Sequence, residues 1–84
     1  MNWYVYIAKA KTGRYYTGIT TNLNKRILEH NQGEGSQLAR QQGPLTAVYI
    51  SRSFSNKSEA RKREAQVKGW TRKKKEKLIN GEWK

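Results

Sequence analysis

Cysteine is absent from this chain, proline occurs once, and acidic residues are scarce. Without cysteine there is no disulfide scaffold and no thiolate-ligated metal site. The same absence suits a reducing compartment, so a cytoplasmic location is expected. No stretch approaches the roughly 18 consecutive apolar residues of a membrane-spanning helix. Met1-Asn2-Trp3 does not open a charged-then-apolar secretory leader, so no membrane or secretory role is expected. Hydrophobic residues make up 35% of 84 positions, enough for a modest core and one small domain, read as 1–84.

The scarcity of acids leaves a large imbalance. Eighteen Lys and Arg face six acidic residues, a formal net charge of +12. Residues 57–84 alone hold 11 basic and 4 acidic side chains, or +7 in a third of the chain. Clustered bases at this density form an electrostatic footprint for a polyanion, and DNA is the partner expected. An anionic membrane surface fits less well, because the basic segment lacks the broad apolar face of an interfacial helix.

Aromatics are what the chain does have. Four of its five tyrosines fall in Trp3-Tyr4-Val5-Tyr6-Ile7 and Tyr15-Tyr16-Thr17-Gly18-Ile19. Aromatic and β-branched residues suit a pleated surface. Two such runs joined across Thr12-Gly13 read as a hairpin, with strands at 2–8 and 14–20. Alternation puts Tyr4, Tyr6 and Ala8 on one face and Trp3, Val5 and Ile7 on the other. On the second strand Tyr16, Gly18 and Thr20 share a face, so Tyr6 and Tyr16 can meet. A strand glycine often marks a close approach of ligand or backbone, and Gly18 is read as opening that face. Taken alone, the tyrosines are also simply good strand formers.

Thr20-Thr21-Asn22 offers N-cap side chains for a helix bearing a Leu23, Ile27, Leu28 apolar stripe. Arg26 and His30, four apart, share a helix face and can touch one ligand. The helix ends in the glycine-rich 31–36 segment, and 36–43 stays ambiguous. Leu45–Ser51 reads as a third strand. Ser55 or Asn56 starts a helix over Lys57–Lys68, with Ala60, Glu64 and Val67 on one side. Thr71 caps a last helix over Arg72–Asn80, with Leu78 and Ile79 inward. Tyr49 and Trp70 are read as packing. The order is β-β-α-β-α-α, an α/β (α+β) fold.

Phosphodiester hydrolysis needs an activated water, a stabiliser for developing charge and usually a metal. A phenol is a poor base at its ordinary pKa of about 10, but a nearby cation favours the phenolate. Arg26 offers a permanent charge and a fork that matches phosphate oxygens. His30 can exchange protons near neutrality.

Tyr4-Val5-Tyr6, Tyr16-Thr17-Gly18, Leu23-Asn24-Lys25-Arg26, His30-Asn31-Gln32-Gly33 and the Glu64 helix occur in the order of a known family. Over about residues 3–80 the chain resembles the GIY-YIG nuclease domain, most of all its small single-domain bacterial members (UPF0213-like). It departs from the signature at Tyr4, Val5 and Thr17. Asn80 is the only late candidate for the asparagine with which larger members end their domain.

The resemblance implies a three-stranded antiparallel sheet flanked by helices and a one-metal mechanism. Tyr6 and Tyr16 are implied as base candidates, with Arg26 stabilising charge, His30 as acid or base, and Glu64 holding Mg²⁺. No small-molecule cofactor is expected. Lys68, Arg72, Lys74 and Lys75, with Gly18, are the expected nucleic-acid contacts. Two other readings stay open: a non-catalytic nucleic-acid-binding module of the same fold, and an adaptor whose Trp83 and basic tail contact a protein partner.

Overall fold

The first aromatic run becomes the middle of a sheet. In the computed structural model, which describes residues 2–31 and 44–82, β1 (Tyr4–Ala10) lies between β2 (Tyr15–Thr20) and β3 (Leu45–Ile50), antiparallel to both. Three helices complete the chain: α1 (Leu23–Asn31), α2 (Lys57–Lys68) and α3 (Arg72–Ile79). The expected order, β-β-α-β-α-α, is therefore the observed one. The ambiguous 36–43 stretch and Trp83 lie outside the described residues. No helix among the described residues is long and apolar enough to cross a membrane.

A central strand must bury both faces, and Val5, Ile7 and Ala8 are wholly inaccessible. On one face Tyr6, Ala8, Ala10 and Leu45 pack beneath α1 through Leu23 and Ile27, with Tyr16 alongside. On the other, Ile7 packs with Val67 and Leu78 of α2 and α3, joined by Tyr15, Val48, Tyr49, Trp70 and Ile79. Tyr49 and Trp70 are thus packing residues, as expected. Leu28 corrects the expected stripe: it is 57% exposed, because α1 meets the sheet along a line too narrow to take residues 27 and 28 together.

Strand bounds shift from expectation at β1, which runs two residues later than 2–8. Trp3 instead forms an isolated bridge with Phe54: its N–H donates to the Phe54 carbonyl (2.9 Å), and its carbonyl accepts from the Phe54 N–H (2.7 Å). The turn falls at Thr12-Gly13, where Gly13 takes φ +94°, a left-handed conformation open to glycine. A bulge interrupts the β1–β3 register between Ile7↔Tyr49 and Ala8↔Ala47 and leaves Val48 unmatched. Val48 and Tyr49 then both serve the α2/α3 side of the core, which strict alternation forbids.

The helix starts follow local chemistry. Asn22 Oδ1 accepts from the Lys25 N–H (3.1 Å), Asn56 Oδ1 from Glu59 (2.9 Å) and Thr71 Oγ1 from Lys74 (3.3 Å). Each satisfies a donor the helix leaves unpaired. At the far end of α1, Asn31 Nδ2 donates to the Leu45 carbonyl (3.0 Å), and Asn31 Oδ1 accepts from the Leu45 N–H (2.7 Å). The two bonds tie α1 to the start of β3.

The β1–β2 register places Tyr6 opposite Gly18. A Cβ built on Gly18 would stand 2.7 Å from Tyr6 Oη and 2.8 Å from Cζ. The open space read at this glycine is therefore taken by the Tyr6 ring. Gly18→Ala is expected to cost about 1–3 kcal/mol by forcing the ring aside. Most of that cost should vanish in a Tyr6→Ala background, since contacting residues are non-additive. Urea unfolding of the four proteins measures it, and additive costs would contradict the packing described.

Candidate functional site

Because β2 is an edge strand, residues from both sheet faces reach one surface there. A cavity of about 620 Å³ opens along this edge. From the α1 side it receives Tyr6, Tyr16, Gly18, Arg26 and His30. From the α2 side it receives Lys57, Arg61, Glu64 and Lys68. The four helix cations and His30 surround a single carboxylate. Such a concentration of one sign focuses potential on an anion.

The five residues expected to do chemistry, Tyr6, Tyr16, Arg26, His30 and Glu64, all line this cavity, as do Gly18 and Lys68. Each arrives for a local reason. Tyr6 and Tyr16 share a face through the pairs Tyr6↔Gly18 and Ala8↔Tyr16. Arg26 and His30 sit one helical turn apart on α1. Glu64 follows Ala60 on the side of α2 that meets the sheet, where Ala60 and Val67 are completely buried.

Arg72, Lys74 and Lys75 belong to α3 and do not line the cavity. Arg72 stacks on Tyr15 (4.4 Å to the ring centroid), donates to the Gly13 carbonyl (2.8 Å) and faces Glu76 at 3.8 Å. Tyr15 Oη donates to the same Glu76 (3.2 Å). Burial, then the bond to Glu76, raises the Tyr15 pKa and keeps it a neutral donor. Arg72 thus fastens the hairpin turn to α3. Lys74 lies over Trp70, 5.3 Å from its centroid. Asn80 caps the end of α3 and is exposed, apart from the cavity lining.

Burial, reinforced by the Arg26 charge and opposed by Glu29, lowers the His30 pKa from its ordinary 6.5. The imidazole is therefore neutral at pH 7 and able to accept a proton. Glu64, with a fifth of its side chain exposed, faces Lys68 at 3.8 Å. Tyr16 Oη and Thr17 Oγ1 are buried with no hydrogen-bond partner among the described residues. Buried hydroxyls are normally bonded, so these two, on the strand that borders the cavity, are exceptions.

These groups can be tested against the metal the family resemblance implies. No cluster of three or more His, Cys, Asp or Glu side chains exists among the described residues, so no all-protein cage forms. Mg²⁺ commonly binds through one or two carboxylates, with waters and substrate phosphate oxygens completing its shell. Glu64, a carboxylate in the cavity lining, fits that lighter requirement.

Fold and cleft together define a small α+β domain with a basic, tyrosine-walled groove along its edge strand. Residues 2–77 match the model of the GIY-YIG catalytic domain. The chain belongs to the GIY-YIG family. It is similar to UPF0213 protein SSP2268 of Staphylococcus saprophyticus, 44% identical over 77 residues, covering 92% of this chain and 93% of the relative. UPF0213 protein CPE1444 of Clostridium perfringens is 48% identical over 77 residues, covering 92% and 82%. Among solved structures, UPF0213 protein BH0048 of Bacillus halodurans superposes with a TM-score of 0.59 at 42% identity, over 95% of this chain and 84% of that one. Protein EF2693 of E. faecalis does so with a TM-score of 0.64 at 34% identity, over 96% and 85%.

Residues missed by sequence reading include Trp3, Thr17, Lys57 and Arg61, all in the cavity wall. The spacing 57, 61, 64, 68 was a usable signal, since it keeps one helix face.

Two outcomes follow from these contacts. The NMR titration midpoint of His30 should fall below 6.5, rise in Arg26→Gln and fall further in Glu29→Gln. Because the unfolded chain holds the proton more readily, this histidine's contribution to stability is present above pH 6.5 and lost as pH falls through the folded midpoint. Arg72→Gln should destabilise the fold by about 1 kcal/mol in thermal or urea melts.

Proposed function

We propose that this chain is a Mg²⁺-dependent DNA endonuclease that hydrolyses a phosphodiester in the β2-edge cavity. The observation that carries the reading is the convergence of Tyr6, Tyr16, Arg26, His30 and Glu64 on that one cavity. The family match supports nuclease chemistry.

Each residue has a task its surroundings permit. Arg26, exposed on α1, binds phosphate oxygens through its fork and balances charge that grows on them. Tyr16, in the cavity wall, offers one phenol as a base candidate. The Tyr6 ring, packed over Gly18, forms the adjoining wall and offers the second phenol. His30, neutral at pH 7, can take a proton from water and then return it to the leaving oxygen. Glu64 would hold the metal ion, which when bound contributes Lewis-acid charge and lowers the pKa of a bound water. Lys68, 3.8 Å from the Glu64 carboxylate, adds a second cation for the strand.

Purified protein with Mg²⁺ should cut plasmid or branched DNA, and EDTA should stop it. Arg26→Ala should slow cutting on the order of 10²-fold, and Tyr6→Phe and Glu64→Gln should each reduce it markedly. Absence of cutting, or variants as active as the parent, would sink the reading. Salt-sensitive DNA binding without metal-dependent cleavage would replace it with the binding-module reading, which the charge of +12 favours.

A further inference from the structure

We propose that a groove where the end of β3 meets α2 and α3 docks an acidic segment of a partner protein, seated by one aromatic or aliphatic side chain. The groove and the edge-strand cleft share no lining residue, so this site is independent of the hydrolysis proposed above.

The groove holds about 670 Å³. Its apolar walls are Tyr49 of β3, Phe54 beyond that strand, and Leu78 and Ile79 of α3. Leu78 is buried, while Tyr49, Phe54 and Ile79 are half-buried and so reachable from solvent. Arg52 and Arg63 complete the lining with two cations. Aromatic rings and arginine are the residue types that concentrate at the centres of protein interfaces. Nucleic-acid sites are more polar than this one.

The charge of the occupant follows from what surrounds it. No acidic residue lines the groove. The Arg52 guanidinium lies 5.1 Å from the Phe54 ring centroid, and it makes no ion pair among the described residues. Arg63 lies 5.0 Å from the Trp70 centroid and donates to Gln66 Oε1 (2.6 Å). Both cationic heads are thus positioned before anything binds, which lowers the ordering cost of meeting a carboxylate. A second copy of a chain carrying +12 is repelled, whereas an acidic segment is attracted. The apolar anchor supplies burial, and the carboxylates beside it select the partner.

The test titrates isotope-labelled full-length protein with short synthetic peptides that carry Phe, Trp, Leu or Ile between Asp and Glu residues. One or more should bind, and the amide shifts should fall at Tyr49, Phe54 and Ile79 while those of His30 and Lys68 stay in place. Replacing the anchor by Ala, or the acids by Asn and Gln, should weaken binding about tenfold. Arg52→Glu, a change at an exposed residue, should do the same, and Arg52→Lys should cost about twofold. Lys62→Gln, which removes an exposed cation elsewhere on α2, should leave the affinity as it was. If no peptide binds, if the shifts fall at the cleft, or if the Ala-anchored peptides bind equally well, the docking proposal is overturned and the cleavage proposal stands. A dimer in sedimentation that Arg52→Glu dissolves would give the groove to a second copy. Shifts at Tyr49 and Phe54 caused by an oligonucleotide and by no peptide would give it to nucleic acid. Either result overturns the proposal.

Discussion

Everything at the cleft depends on one packing contact, the Tyr6 phenol lying across Gly18. The ring belongs to the central strand, and only 5% of the residue is accessible. It reaches the edge of the sheet because the residue opposite it has no side chain. Any Cβ at position 18 would occupy the place of the hydroxyl. Glycine here costs backbone entropy, and the return is a hydroxyl set beside an edge strand. At that edge, side chains from both sheet faces meet the same cavity. Arg26 and His30 approach it from α1, and Glu64 from α2.

The charge of the C-terminal third has two uses. On α2, Lys57, Arg61 and Lys68 face the cavity with one carboxylate among them, which makes an attractive field for a phosphate backbone. On α3, cations are spent on rings: Arg72 covers Tyr15 and Lys74 covers Trp70, with Arg63 of α2 on Trp70 as well. Arg72 also secures the Gly13 turn, so the hairpin that carries Tyr16 is braced from the side opposite the cleft. Two segments of similar composition thus differ in role because one helix lines the cavity and the other packs its cations on Tyr15 and Trp70.

The linear pattern of residues determined a good deal. Strand alternation put Tyr6 and Tyr16 on a common face, and pairing kept them there. Asn56 and Thr71 announced their helices, since a capping side chain acts within three residues of itself. The i, i+4 relation of Arg26 and His30, and of Ala60 and Glu64, followed from helical geometry alone. Family membership was legible for the same reason, since its signature lies in short segments whose order is linear.

What only the tertiary structure decided are the relations between segments distant along the chain. Gly18 holds Tyr6 rather than lying open, because the strand opposite supplies a ring of the right length. Leu28 stays in solvent because α1 meets the sheet along a narrow line. The bulge at Val48 turns two successive residues toward one core, against alternation. Arg72 leaves the cleft because Tyr15 and Glu76 bind it elsewhere, and Trp3, Lys57 and Arg61 join it because the Phe54 bridge brings the two ends of that wall together. Local propensity acts over a few residues, whereas packing and charge pairing act through space.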